Sequence, residues 1–122
     1  MCLTTNKKDP YIAAEKITAY KIMNKPIFYI FLFSYIRTSL WILRIPRFAK
    51  MSPKKYHNKR IADYMIEEGL HAYTTLHEAM CLHNEYNIIC EVSIPKGAKY
   101  YISEDGKEIV SNRMKITKRI KK

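Results

Sequence analysis

Glycine, cysteine and acidic residues are all in short supply. Three glycines stand alone among 122 residues, which excludes the glycine-rich loops that cradle phosphates in nucleotide-binding folds. Cys2, Cys81 and Cys90 are an odd number of thiols without framework spacing. They exclude a disulfide scaffold and predict reduced thiols. No CxxC or HxxxH pair occurs among the cysteines and His57, His71, His77 and His83. His77 and Cys81 fall at i and i+4, but a zinc site needs three or four ligands, so no metal is expected. There is no GxSxG or comparable nucleophile motif. No charged n-region, apolar h-region and small-residue cleavage site opens the chain. Together with the thiols, this predicts a cytoplasmic protein. No internal repeat is evident, and 122 residues suit a single domain over 1–122.

Basic residues outnumber acidic ones by 22 to 11, for a formal charge of +11. The excess sits at the two ends. Residues 1–50 carry nine basic and two acidic groups, residues 51–90 four and five, and residues 91–122 nine and four. A field of this sign attracts nucleic-acid phosphates, anionic headgroups or acidic proteins.

Residues 27–45 form the most apolar stretch. A membrane-spanning helix needs about 20 mostly apolar residues, whereas the uninterrupted run Ile27–Ile36 is about half that length and Arg37 sits near the centre of the window. The Ile, Phe and Tyr content favours two strands, Ile27–Ile36 and Leu40–Ile45, turning at Arg37-Thr38-Ser39. The competing reading is membrane association through 27–45.

Elsewhere the expected order is a loose N-terminus over 1–10 and a strand at Ile17–Met23. Ser52-Pro53 reads as a helix start, and Ile61, Tyr64 and Met65 as the apolar stripe of a helix to Glu68 with Gly69 as its C-cap. Leu70–Tyr73 should be a strand, and Thr75-Leu76-His77-Glu78 a capping box opening a helix to His83. Tyr86–Ile94 alternates cleanly, with Ile88, Cys90, Val92 and Ile94 on one face, and is expected as a central strand. Pro95-Lys96-Gly97 should turn into a strand over Lys99–Ile102. Glu104-Asp105-Gly106-Lys107 should be a hairpin turn, with strand pieces at Ile109–Val110 and Met114–Thr117 and a basic tail over 118–122. The pattern predicts an α+β fold, a mainly antiparallel sheet with two or three short helices.

The chemistry suggested by residue type is binding. Lys96, Lys99, Tyr100, Tyr101, Arg113 and Lys115 surround one turn and the strand that follows. Lysines interleaved with tyrosines suit stacking on single strands, although no RNP, KH or zinc-finger pattern is present.

Met1–Lys8, Ala19-Tyr20-Lys21, Glu68–Tyr73, Ile94–Tyr101 and Ile109–Asn112 together resemble a group of small proteins of gut-bacterial phages and mobile elements. That resemblance implies a phage or integrated-element origin and no particular activity. A more remote similarity is to the ADP-ribosyltransferase-like fold: Tyr20-Lys21, then Gly69–Tyr73 with Glu78-Ala79, then Glu108-Ile109-Val110 fall in its order. It implies NAD as cofactor, Glu108 orienting a ribose hydroxyl and His71 or Tyr73 lining the pocket, with Tyr20 and Lys21 on the first strand. Lys21 stands where such enzymes carry Arg or His. The leading expectation is a cofactor-free phage accessory protein that binds a host nucleic acid or acidic host protein without catalysis. The alternative is a divergent ADP-ribosyltransferase-like enzyme with candidates Tyr20, Lys21, His71, Tyr73 and Glu108.

Overall fold

Clean period-two alternation marks Ile88–Ile94, and the strand it specifies is the centre of a sheet that most of the remaining segments join by pairing. The computed structural model describes residues 3–6, 8–24, 31–34, 40–42, 47–51, 53–55, 64–66, 68–83 and 87–120. Their elements are β1 (Leu3–Thr5), β2 (Tyr11–Ile12), β3 (Ile17–Asn24), β4 (Phe31–Ser34), β5 (Leu40–Ile42), β6 (Arg47–Phe48), β7 (Pro53–Lys55), β8 (Tyr64–Ile66), β9 (Leu70–Tyr73), α1 (Leu76–Met80), β10 (Asn87–Ile94), β11 (Lys99–Ile102), β12 (Glu108–Ser111) and β13 (Arg113–Ile120). Every pairing is antiparallel.

The large sheet runs β2-β11-β12-β9-β3-β10-β13-β6, with β4 on the end of β3 and β5 on β4. Its spine is the eight-pair ladder from Ile17↔Ile94 to Asn24↔Asn87. Asn112 alone separates β12 from β13. The path β12-β9-β3-β10-β13 therefore returns to its starting point, and the sheet curls round on itself. Its inner face is the main core: Ala19, Met23, Leu70, Ala72, Cys90, Val92, Ile94, Ile109, Met114 and Ile116. At one end of the outer face, α1 covers Ile22, Tyr73 and Ile89 with Ala79. At the other, the small sheet β1-β8-β7 lays Leu3 and Ile66 on Tyr101 and Val110.

The expected α+β class is corrected by this arrangement. Among the described residues the fold is mostly antiparallel sheet with one five-residue helix. The predicted helix from Ser52 to Glu68 is replaced by β7 and β8, which pair from Pro53↔Ile66 to Lys55↔Tyr64. Local spacing of Ile61, Tyr64 and Met65 is overridden by tertiary pairing: Ile66 is fully buried and opposes Leu3 of β1. Residues 56–63 lie outside the described residues. Gly69 does adopt positive φ, at +128°, but it leads into β9 rather than capping a helix. Thr75 caps α1 as expected, its Oγ1 accepting from the Glu78 N–H at 3.4 Å, yet α1 ends at Met80 instead of His83. Leu3–Thr5 are ordered as β1 rather than loose, and Lys118–Ile120 continue β13 rather than forming a tail.

Other expectations hold. β10 lies between β3 and β13, with Cys90, Val92 and Ile94 in the inner core, Ile88 against it, and Ile89 on the opposite face. The turns at Pro95–Gly97 and Asp105–Gly106 form, with Gly97 at φ +87° and Gly106 at φ +75°. β4 and β5 pair antiparallel inside the apolar block. The turn expected at 37–39 lies outside the described residues. Among the described residues no helix is long and apolar enough to cross a membrane.

Candidate functional site

Two groups of residues stand out in the sequence, and the structure treats them differently. Of the enzyme candidates, Tyr20 pairs with Tyr73 across β3 and β9, and Tyr73 with Glu108 across β9 and β12. Directly paired residues share a sheet face, so these three form one row on the outer face, with His71 two positions from Tyr73. Burial, then the Glu108 and Glu78 carboxylates, push the Tyr73 hydroxyl up to about 12. Burial, then Asp105, raises Glu108 above the usual carboxylate range. Lys21 does not join them. It lies between Ala19 and Met23 on the inner face, 8 % exposed, and its Nζ donates to the His71 carbonyl at 2.6 Å.

Tyr73 itself is covered by α1. None of the five residues lines the cavities near the Asn112 corner or the one beside Tyr11 and Tyr100. Lys21, which stands where ADP-ribosyltransferase-like enzymes carry Arg or His, is thus turned into the core, and Tyr73 lies under a helix. Among the described residues no three His, Cys, Asp or Glu side chains gather to hold a metal ion. Cys90 is fully buried, and burial pushes its thiol up to about 12 even though Arg119 and Lys21 pull it down, so its thiolate is suppressed.

The binding candidates converge on the corner at Asn112. The Asn112 Oδ1 accepts from the Lys99 N–H at 3.0 Å, the Asn112 N–H donates to the Lys99 carbonyl at 3.1 Å, and the Ala49 N–H donates to the Asn112 carbonyl at 2.9 Å. Ser111 Oγ also donates to the Lys99 carbonyl, at 3.0 Å. Three separate segments, around residues 49, 99 and 112, are thereby tied together. Arg113 lies over the Pro95–Gly97 turn, its Nη2 3.5 Å from where a Cβ on Gly97 would be. The turn is held down by the Gly97 N–H donating to the Ala13 carbonyl at 2.8 Å. Lys96 is exposed on that turn.

Two cavities flank the corner. One, of about 240 Å³, is walled by Phe48, Ser93, Pro95, Arg113, Met114 and Lys115. The other, of about 400 Å³, is lined by Lys8, Lys50 and Lys99, with Asp9 the one carboxylate in its wall. One continuous segment joins them, since Phe48 belongs to the first and Ala49-Lys50-Met51 to the second. Phe48 is 68 % exposed. A third cavity, of about 590 Å³, contains Tyr11 and Tyr100, whose rings stack at 5.4 Å and 26°.

Of the six predicted binding residues, Arg113 and Lys115 wall one cavity, Lys99 lines the other, and Lys96 is exposed on the turn under Arg113, while Tyr100 stacks on Tyr11 on the opposite face of β11 from Lys99. Tyr101 does not present its ring: it is 2 % exposed, and its hydroxyl donates to the Lys8 carbonyl at 2.8 Å. Its ring packs with Leu3, Ile66 and Val110, and its hydroxyl ties down the Lys8 backbone. Sequence reasoning misses Lys8, Lys50, Phe48 and Tyr11, since their nearness to Lys99 and Arg113 comes from pairings between remote segments that no local pattern signals. Comparison with protein-family models, curated proteins and solved structures finds no match to this chain.

Proposed function

We propose that this protein is a non-catalytic accessory protein of a phage or mobile element that binds single-stranded host nucleic acid at the Asn112 corner. The observation that carries the reading is the gathering of Lys8, Lys50, Lys99, Arg113 and Lys115 from distant segments around exposed Phe48, with Lys96 exposed on the turn under Arg113. Ammonium and guanidinium groups track a phosphate backbone, while exposed rings offer base-stacking platforms worth about 1–3 kcal/mol per base. Stacking surface favours a nucleic acid over an acidic protein, which offers carboxylates but no planar bases. No NAD and no metal enters this reading.

Fluorescence anisotropy with labelled oligo-dT and oligo-U, titrated with salt, tests it. Affinity should fall log-linearly with salt, with a slope of about −0.7 per phosphate contacted. Arg113→Gln with Lys115→Gln should make that slope shallower by about 1.4, because two phosphates are then no longer neutralised. Phe48→Ala should weaken binding without changing the slope. Absent binding, or an affinity flat with salt, overturns the reading. Binding to polyglutamate but to neither oligonucleotide moves it to an acidic protein partner.

A further inference from the structure

The cavity lined by Lys8, Lys50 and Lys99 differs from the rest of the basic surface in how it is built. Each lysine arrives from a different segment, and each segment is tied down by a hydrogen bond at the lysine or at the residue before it. Lys8 is held by the Tyr101 hydroxyl at 2.8 Å. Lys99 is held on both sides by Asn112 and Ser111. Lys50 follows Ala49, whose N–H donates to Asn112. Flexible lysines on a flat surface lose side-chain entropy on meeting an anion. Here the three stems start from fixed points around one concavity, which reduces part of that cost.

Charge sets the ligand. Three ammonium groups against the Asp9 carboxylate leave a formal charge of +2 in the wall. An internal phosphodiester carries a single negative charge, whereas a phosphomonoester near pH 7 carries about −1.5 to −2. Among the described residues none of the three ammonium groups is engaged in an ion pair. The volume of about 400 Å³ falls within the range of small-molecule sites, roughly 300–1,000 Å³.

We infer that this cavity is a phosphomonoester site, which takes the terminal phosphate of a nucleic-acid strand or the phosphate of a free nucleotide. Its strand-end form rests on the nucleic-acid reading above; its free-nucleotide form does not. Lys8, Lys50 and Lys99 donate to the phosphate oxygens. Asp9 disfavours further anionic charge in the cavity, so the site accepts one phosphomonoester rather than a polyanion.

Two measurements test it. The first compares oligo-dT carrying a 5′-phosphate, a 3′-phosphate or hydroxyls at both ends, by anisotropy at fixed salt. The second follows backbone amide shifts of Lys99 and Asn112 as thymidine 5′-monophosphate, and separately inorganic phosphate, is added. A strand with one phosphorylated end should bind about tenfold tighter than the hydroxyl strand, as a charge-assisted contact of this kind allows. Lys8→Gln with Lys50→Gln should abolish that preference, so that phosphorylated and hydroxyl strands bind the variant equally, whatever affinity both lose together. If no oligonucleotide binds but the monophosphate shifts both amides and the double variant removes the shift, the cavity stands and the strand reading falls. If all strands bind equally and the monophosphate moves neither amide, the cavity inference is overturned and the strand reading survives. A response to inorganic phosphate as strong as to the nucleotide assigns the site to the phosphate group alone and still supports it.

Discussion

Single residues at this fold's tight points carry distinct expectations. A Cβ on Gly69 would lie 2.5 Å from Val110 Cγ2 and 3.0 Å from Met51 Cγ, at a φ of +128° that L-residues rarely adopt. Gly106 has φ +75° with nothing within 4 Å. Gly69→Ala should therefore cost about 3 kcal/mol or more, from backbone strain plus overpacking. Gly106→Ala should cost only about 1 kcal/mol. Urea denaturation of both variants checks the order, and equal losses would refute the steric account. The thiols offer a second contrast. In a Cys2→Ser background, one thiol per chain, exposed Cys81, should react with Ellman's reagent while folded. Cys90, fully buried with its thiol pushed up to about 12, should react only after unfolding. Two fast thiols would contradict the burial of β10.

Glu108 and Tyr73 give a pH prediction whose sign follows from burial. Glu108 is raised in the folded chain, so the unfolded chain loses its proton first. Stability from this group is full below the ordinary carboxylate range and is lost as pH rises through the folded value. Tyr73, raised from 10.0 to about 12, acts likewise, with loss confined to the window between those values. Glu108→Gln should thus gain stability relative to the parent as pH rises from about 4 to about 7. A difference that stays constant over that range in thermal melts would show that burial of this carboxylate carries no cost.

Elements differ according to where they sit in the sheet. β10 is buried on both faces and paired on both edges, so Ile94→Ala should cost about 2–5 kcal/mol. Ile12, 66 % exposed on the two-residue edge strand β2, should cost less than about 0.5 kcal/mol when changed to Ala. Chemical denaturation of the pair tests this ranking, and comparable losses would place β2 in the core instead. The same contrast explains which elements are readable from sequence. β10 is legible because Ile88, Cys90, Val92 and Ile94 alternate over a full strand. β7 and β8 are not: three-residue strands contain too little period to outvote a Ser-Pro start and a Gly stop. Their pairing depends on Leu3 opposing Ile66, a partner far away along the chain that composition does not announce.

For the whole molecule the governing quantity is the +11 charge. Like charges at the Asn112 corner repel one another in the folded chain, and a Debye length near 10 Å at about 0.1 M salt screens them. Raising sodium chloride from about 20 to about 200 mM should therefore raise the melting temperature by a few degrees, whereas nucleic-acid affinity should fall over the same range. A melting temperature that drops with salt would mean that ion pairs such as Lys118–Glu91, at 3.6 Å, outweigh the repulsion. The candidate site is half legible at this scale. Lys96, Lys99, Arg113 and Lys115 are near one another along the chain and stand out together. Lys8 and Lys50 join them only through the curling of the sheet, and Tyr101 leaves them because Leu3 and Ile66 cover its ring.

By itself the sequence determined the sign of the surface field, the strand period of β3 and β10, the Thr75 cap and the turns at Gly97 and Gly106. Each of these is encoded within a few residues, where backbone preference and side-chain alternation act directly. Only the tertiary structure decided that Lys21 faces the core while Tyr20 faces out, that 53–55 and 64–66 form strands instead of a helix, and that three distant lysines share one cavity. Those outcomes depend on which sheet face becomes covered and which remote segments pair. That is settled by burying the whole apolar surface at once, not by any short stretch of chain.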